Sequence, residues 1–417
     1  MNLFKMFSMA VILFFVMASC GNDELDSTFS LSLPPSTKSV DSQTELSVTA
    51  GVLASIEIDQ EIMNEVKAGV ERSLKYGLDE EYRFRDMLKP ANSKFSRSTK
   101  KSSLIQKMND QLNLSSQLLR NGNSINDFFN FLFENDVQIY WPYSEEWDGK
   151  EFPTITFNPE NGNTDWNYGY KRRKGVDGHI FIDTVVVNED YFMKQPVWII
   201  NKNGIKYENL PDFEKGIYEK NGVIFDQPVE NSIDSKNDTR ALPWTPETDP
   251  NLIYSFYIQN MRVYKQLDGA LAGGSEMLIQ CSYPEIEGGM KAPVTVLRKS
   301  WTRKEISKSI IKPFTTPLIT NWRQEQLQCG LKIVEEDNGN EKNWEFSLGF
   351  AIKGNNYTIS AKIPFQNHDD EIVQVVLDRS YINSTSNISA FNTNEWGIWK
   401  MYSEGGVAYS LPILTNR

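Results

Sequence analysis

Histidine is nearly absent, with two residues in 417, His179 and His368. No HExxH zinc helix can be written, and a two-histidine metal centre would need these distant residues to meet. Cysteine is as scarce: three residues, Cys20, Cys281 and Cys329, are too few for a disulfide scaffold or a four-thiolate site. No GxSxG elbow occurs, and Gly273-Gly274-Ser275-Glu276 lacks the second glycine that a serine-hydrolase turn requires. Basic charge is in deficit, 43 Lys and Arg against 55 Asp and Glu, for a net charge of −12. A chain this acidic is a poor nucleic-acid binder. The apolar run Met6 to Ala18 is too short to span a bilayer as a stable helix.

What is present begins with that run. A short basic start, the apolar stretch and Met17-Ala18-Ser19-Cys20 read as a secretory signal over residues 1–19. At the cysteine the motif resembles the lipobox of bacterial lipoproteins, in which the thiol of the new N-terminal residue is acylated; Cys20 is the lipidation site this implies. Residues 20–45, with Pro34-Pro35 and many Ser and Thr, have no apolar period and read as a flexible tether. Asp23, Glu24 and Asp26 behind Gly21 resemble the signal that sends some lipoproteins to the outer face of the outer membrane. The expected location is therefore a lipid-anchored position in that membrane.

Residues 46–135 have a helical period. Asp59 is a plausible N-cap, Ile62, Val66, Val70 and Leu74 form one apolar stripe, and Gly77 sits where a helix would end. A short helix is expected from Asp79 to Leu88, and Ser124 is placed to cap a helix carrying Phe128, Phe129 and Leu132. From 136 to 234 short β-branched or aromatic runs such as Val137–Trp141, Thr154–Phe157 and Val197–Ile200 alternate with turn residues and suggest a small sheet. The polar, proline-rich stretch 235–251 reads as a linker. Beyond it, residues 252–417 alternate with period two: Trp344 to Ile352 and Tyr357 to Ile363 flank a turn at Gly354-Asn355-Asn356, and Ile372 to Leu377, apolar on both faces, reads as a central strand. The predicted fold class is α+β: an N-terminal helical segment, a small β-rich middle and a C-terminal antiparallel β-sandwich.

This layout, together with Tyr140-Trp141-Pro142-Tyr143-Ser144-Glu145-Glu146-Trp147-Asp148 and Pro196-Val197-Trp198-Ile199-Ile200, resembles uncharacterised lipoproteins of the Bacteroidota type. The resemblance implies a shared architecture and no activity.

Four groups of residues are candidates for function. Trp141, Tyr143, Trp147 and Trp166 could form an aromatic platform for a glycan or protein ligand, or could be strand residues packed under the helices. Glu145, Glu146 and Asp148 beside them raise the alternative of a carboxylate-dependent hydrolase such as a glycosidase, which needs two acids at a defined separation. Cys281 and Cys329 both fall on apolar strand faces; an inter-sheet disulfide and two buried free thiols are both open. Finally, the loops Glu335 to Asn340 and Asn367 to Glu371 are separated by two strands, which brings both to one edge. Glu335, Asp337, Asp369 and Asp370 would converge there on a hard cation such as Ca²⁺. The reading that fits these features is a non-catalytic surface lipoprotein that binds a ligand or helps to build the envelope.

Overall fold

The computed structural model of the chain describes residues 45–75, 77–88, 102–115, 119, 124–159, 165–174, 180–202, 219–220, 223–225, 253–286, 289–337, 340–386 and 401–415. The signal peptide, Cys20, all but the end of the tether and the 235–251 linker lie outside the described residues.

Helices dominate the first part. The helix α1, Glu45–Ser55, is buried from Leu46 to Ala54 and is a core helix apolar on nearly every side. The next, α2, Gln60–Lys75, starts where Asp59 Oδ1 accepts the Ile62 amide at 3.0 Å. It ends at Gly77, whose φ of +74° lets Leu78 donate to the Ser73 carbonyl at 3.1 Å. The helix expected over Asp79 to Leu88 is instead a strand, β1, Glu81–Arg83, followed by one helical turn, α3, Phe84–Met87. Pairing overrides propensity here: β1 forms an antiparallel ladder with β2, Val137–Tyr140, far along the chain. Between them lie α4, Ser103–Leu114, and α5, Ile125–Glu134. A Ser124–Asp127 capping box starts α5, which buries Phe128 and Leu132.

The middle of the chain completes the first sheet with β3, Thr154–Phe157, β4, Trp166–Lys174, β5, Ile180–Asn188, and β6, Val197–Lys202; one turn, α6, Glu189–Phe192, precedes β6. The order is β1-β2-β6-β3-β4-β5, antiparallel except for the β3/β6 pair, and α1 packs on β3 and β6.

The C-terminal region is a sandwich. Its strands are β7, Glu219–Lys220, β8, Val223–Phe225, β9, Tyr254–Phe256, β10, Asn260–Val263, β11, Ser275–Ser282, and β12, Val294–Trp301. They continue, after the short α7, Arg303–Ser307, with β13, Ile311–Pro313, β14, Ile319–Trp322, β15, Gln328–Glu335, β16, Glu341–Ile352, β17, Asn355–Gln366, and β18, Asp370–Asp378. After α8, Arg379–Ser386, come β19, Met401–Glu404, β20, Val407–Ser410, and β21, Ile413–Thr415. The main sheet runs β18-β15-β11-β12-β8-β7, so β7 and β8, which the sequence groups with the middle region, belong to this sheet through the parallel β8/β12 pair. Facing it are the sheets β13-β10-β20-β19 and β14-β9-β21. Between them lies one core containing Phe256, Met261, Met277, Ile279, Leu297, Trp301, Trp322, Leu331, Ile333 and Tyr409.

Two expectations about strands change. The strand from Asp370 to Asp378 is the edge of the described sheet, not its centre. It is apolar on both sides because Ile372 packs on the Gly405 turn between β19 and β20, while the other side of the sheet is covered by the β16–β17 hairpin. That hairpin turns at Lys353-Gly354, both at positive φ, so the turn sits just before the expected Gly354-Asn355-Asn356. The hairpin lies on β15 at Gly330, where a Cβ would come within 2.3 Å of the Phe346 ring.

The remaining cysteines are free and buried. Both face the sandwich core, yet on adjacent strands of one sheet: Cys281 is opposite Leu331, two residues along β15 from Cys329. The two thiols therefore belong to one sheet and not to two facing ones, and burial, followed by the neighbouring Cys281 thiol, pushes the Cys329 thiol well above its usual pKa.

The described residues belong to one compact unit. The turn around Leu271 packs with Tyr140 and Ile199 of the first sheet and with Phe192 of α6, and Asn201 Nδ2 donates to the Ala272 carbonyl at 2.6 Å.

Candidate functional site

Two polar features stand out, an acidic cluster at the start of β11 and an aromatic cleft on the first sheet. The acidic cluster contains Asp268, Glu276 and Glu335, each offering a carboxylate oxygen within 4.8 Å of the others. Strand geometry creates it. Glu276 opens β11, Glu335 closes the neighbouring antiparallel β15, and Asp268 lies on the loop leading into β11. Glu335 Oε1 accepts the Glu276 amide at 3.2 Å, and Glu336 donates its amide to the Glu276 carbonyl at 2.8 Å. Three carboxylates this close cannot all be ionised without a counter-charge. Burial, Asp268 and then Glu276 push Glu335 up to about 12. Asp268 rises to about 6, mainly through burial, and Glu276 is raised well above the carboxylate range, again by burial and then by Asp79. A divalent cation would supply the counter-charge that the three carboxylates need. The donor set is all oxygen, with no histidine or thiolate, so the cluster is suited to a hard metal ion and can hold one.

The two acidic loops do converge. Asp369 Oδ1 accepts the Asp337 amide at 2.9 Å, and Asn367 Oδ1 accepts the Asn340 amide at 2.6 Å. Asp370 is opposite Glu335 in the β15/β18 ladder. Of the four residues expected to bind a cation, only Glu335 is in the cluster. Asp369 spends both oxygens on the amides of Asp337 and Gln366, and Asp370 is exposed. Asp337 stands beside the cluster, pushed up to about 7 by burial and by the charges of Asp268, Asp370 and Asp369. Sequence reading missed Asp268 and Glu276. Alternation places Glu276 on the face of β11 opposite Met277, Ile279 and Cys281, a signal of a carboxylate under the covering layer; nothing in the sequence marks Asp268.

That covering layer brings acids of its own. Asp79 and Glu80, between α2 and β1, and Glu81, the first residue of β1, are all buried. Asp79 Oδ2 accepts the Gly274 amide at 2.6 Å, and Glu80 Oε1 accepts both the amide and hydroxyl of Ser144, at 3.0 and 3.1 Å. Burial, followed by the like charges of Asp79 and Glu145, holds Glu80 well above the carboxylate range. Lys304 of α7 in turn reaches Glu145 at 3.1 Å and Glu146 at 2.9 Å. The nearby arginines have other partners: Arg298 Nε meets Glu336 at 2.9 Å, and Arg303 donates to the carbonyls of Asp268 and Gly269 and lies 3.5 Å from Glu189.

The aromatic cleft has a volume of about 250 Å³ and is lined by Trp141, Tyr143, Trp147, Phe192, Pro142 and Pro196, with Glu146, Asp148, Glu151 and Lys194 at its polar side. Tyr143 takes a left-handed φ of +57° that begins the 3₁₀ turn Ser144–Glu146 and points the chain back over β2. Trp141 is 1% exposed and forms the floor, edge-on to Trp198 beneath and to Trp147 above, at 5.9 and 5.5 Å between ring centroids. Trp147 is the half-buried wall; its indole donates to the Glu151 carbonyl at 2.8 Å, and Lys67 Nζ lies 5.4 Å from its ring. The structure thus brings Trp141, Tyr143 and Trp147 together and leaves Trp166 out. Trp166 is 41% exposed on β4, edge-to-face with Tyr168, and does not line the cleft. Phe192, from the turn before β6, was not among the expected residues. Comparison with protein-family models, curated proteins and solved structures returned no match.

Proposed function

We propose that the chain is a non-catalytic envelope lipoprotein, anchored through Cys20 in the outer membrane, that binds a glycan in the Trp141–Trp147 cleft and carries Ca²⁺ in the acidic cluster. The observation that carries the ligand-binding reading is the cleft: aromatic faces from two segments with carboxylates at one side suit the C–H face and hydroxyls of a sugar ring. Its small volume fits a ring-sized group better than a protein surface. Calcium is favoured within the cluster because its donors are all carboxylate oxygens and Ca²⁺ tolerates irregular sets of six to eight oxygens, whereas Mg²⁺ demands an octahedron.

The non-catalytic reading is supported by the acids themselves. Glu80 is fully buried with Oε1 spent on Ser144, Glu145 is paired with Lys304, and neither is among the residues lining the cleft, whereas a glycosidase needs two carboxylates flanking its bound sugar. Glu146 is tied to Lys304. Among the described residues no helix is long and apolar enough to cross a membrane, so membrane attachment would rest on Cys20.

Two measurements test the proposal. Binding to an array of soluble oligosaccharides should be found for the wild type and lost in Trp147→Ala, with no hydrolysis of the bound sugar; hydrolysis would replace this reading with the hydrolase. Cys20→Ala should release the protein from membranes, and continued membrane fractionation would contradict the anchor.

A further inference from the structure

We propose that the far end of the β4–β5 hairpin is a membrane-contacting arm, which lays Ile180 and Phe181 into the interface of an anionic bilayer while Arg172 and Arg173 beside them meet its phosphates. The proposal goes beyond the lipid anchor: Cys20 would hold the chain at the bilayer, and the arm would set which side of the folded unit faces it.

The first observation is that the hairpin outruns its sheet. The described β3/β4 ladder holds one pair, Ile155 with Tyr170, and β3 begins at Thr154, so past Lys171 the strand β4 has only β5 beside it among the described residues. What remains is a two-stranded ribbon in which Arg172, Arg173 and Lys174 pair with Ile182, Phe181 and Ile180. Such a ribbon has little stability of its own in water and gains from a surface to lie on.

The second observation is how its residues are arranged. One strand of the ribbon is wholly basic and the other wholly apolar. Directly opposed residues share a face, so Phe181 lies on one side with Arg173, and Ile182 on the other with Arg172 and, by alternation, Ile180. Ile180 is 39% exposed and Phe181 43%, whereas Tyr170 and Val187, where the hairpin joins the sheet, are buried. A covering helix or loop would shield one face; insertion into a bilayer interface takes both. The guanidinium carbon of Arg173 lies 5.1 Å from the Phe181 ring centroid, an arrangement in which a long basic side chain runs along an apolar one and carries its charge outward to a headgroup.

The third is charge. The chain as a whole carries −12, yet residues 171–183 hold Lys171, Arg172, Arg173 and Lys174 against Asp177 and Asp183. Arg173 meets Asp183 at 2.8 Å with both side chains near half exposed, a pair that water screens. Arg172 has Glu57 as the acid acting on it, and its Nη1 has no hydrogen-bond partner among the described residues. A soluble polyanion would use this basic island and leave Ile180 and Phe181 in water, and a second copy would bring two such islands together. The anionic bilayer takes both kinds of residue.

The test places the mature wild-type protein with vesicles of phosphatidylcholine alone, or of phosphatidylcholine with phosphatidylglycerol, and reads flotation and hydrogen exchange on each. At low salt, exchange in residues 171–174 and 180–183 should slow on the phosphatidylglycerol vesicles alone, with residues 341–366 unchanged, and about 0.5 M salt should reverse the effect. Arg173→Gln combined with Lys174→Gln should lose that protection, each charge being worth about fivefold near an anionic surface. Wild type that floats with both vesicles while its arm stays unchanged overturns the arm and leaves the anchor standing; wild type that floats with neither overturns both. Flotation with phosphatidylglycerol vesicles alone, with the arm protected, supports the arm and overturns the anchor. Protection that grows with protein concentration in the absence of vesicles makes a second copy the occupant and overturns the bilayer contact.

Discussion

The aromatic cleft and the acidic cluster differ in what they need. In the cleft, Trp141 rests on Trp198, Trp147 donates to Glu151 and Glu146 meets Lys304, so the walls are held without a ligand. In the cluster, burial and the charges of Asp268 and Glu276 push the Glu335 carboxyl up to about 12. A surface built from stacked rings is complete when empty; a buried group of carboxylates is not. Ligand binding at the first should add affinity with little structural change, whereas an ion at the second should change the stability of the whole unit.

Removing the support of the cleft gives the largest effect. Trp198→Ala deletes a fully buried indole and should cost about 4 kcal/mol in chemical unfolding. Loss of less than about 1 kcal/mol would mean that the cleft floor is not part of the core. Next comes Gly274→Ala, where the new methyl meets backbone at Trp301 that cannot swing away; a loss of about 2 kcal/mol is expected in chemical unfolding.

How far these features could be read from sequence follows from how they are assembled. The cleft comes mostly from one continuous stretch, Trp141 to Glu151, whose aromatic content is visible at once, and only Phe192 and Pro196 arrive from elsewhere. The cap of α5 was legible for the same reason, because Ser124 and Asp127 are three residues apart. The cluster draws Asp268, Glu276 and Glu335 from separate segments. Strand counting placed the loops after β15 and β17 at one edge, which located Glu335, but it carried no information on the loop before β11. The segment Asp79 to Arg83 was misread because its partner strand, Val137–Tyr140, lies more than fifty residues away and local propensity does not register such pairing. Alternation put both cysteines on core faces but could not say that β11 and β15 are neighbours in one sheet.

Smaller effects separate the two sites more sharply. Glu335→Gln replaces a carboxyl that already holds its proton, so unfolding of the ion-free protein should shift by less than about 0.5 kcal/mol while the calcium response disappears. A large loss of ion-free stability would show that the proton is not where the electrostatics put it. Trp147→Ala, at a half-buried position, should cost about 1 kcal/mol and leave the calcium response intact, so a joint loss of both would show the cleft and the cluster to be one coupled site.

The most direct measurement is the melting temperature of the chelator-stripped full-length protein with and without millimolar Ca²⁺. Ligation at a buried site should raise it by several degrees, in proportion to the logarithm of the calcium concentration above the dissociation constant. An unchanged melting temperature across that range would contradict the assignment of Asp268, Glu276 and Glu335 as a cation site.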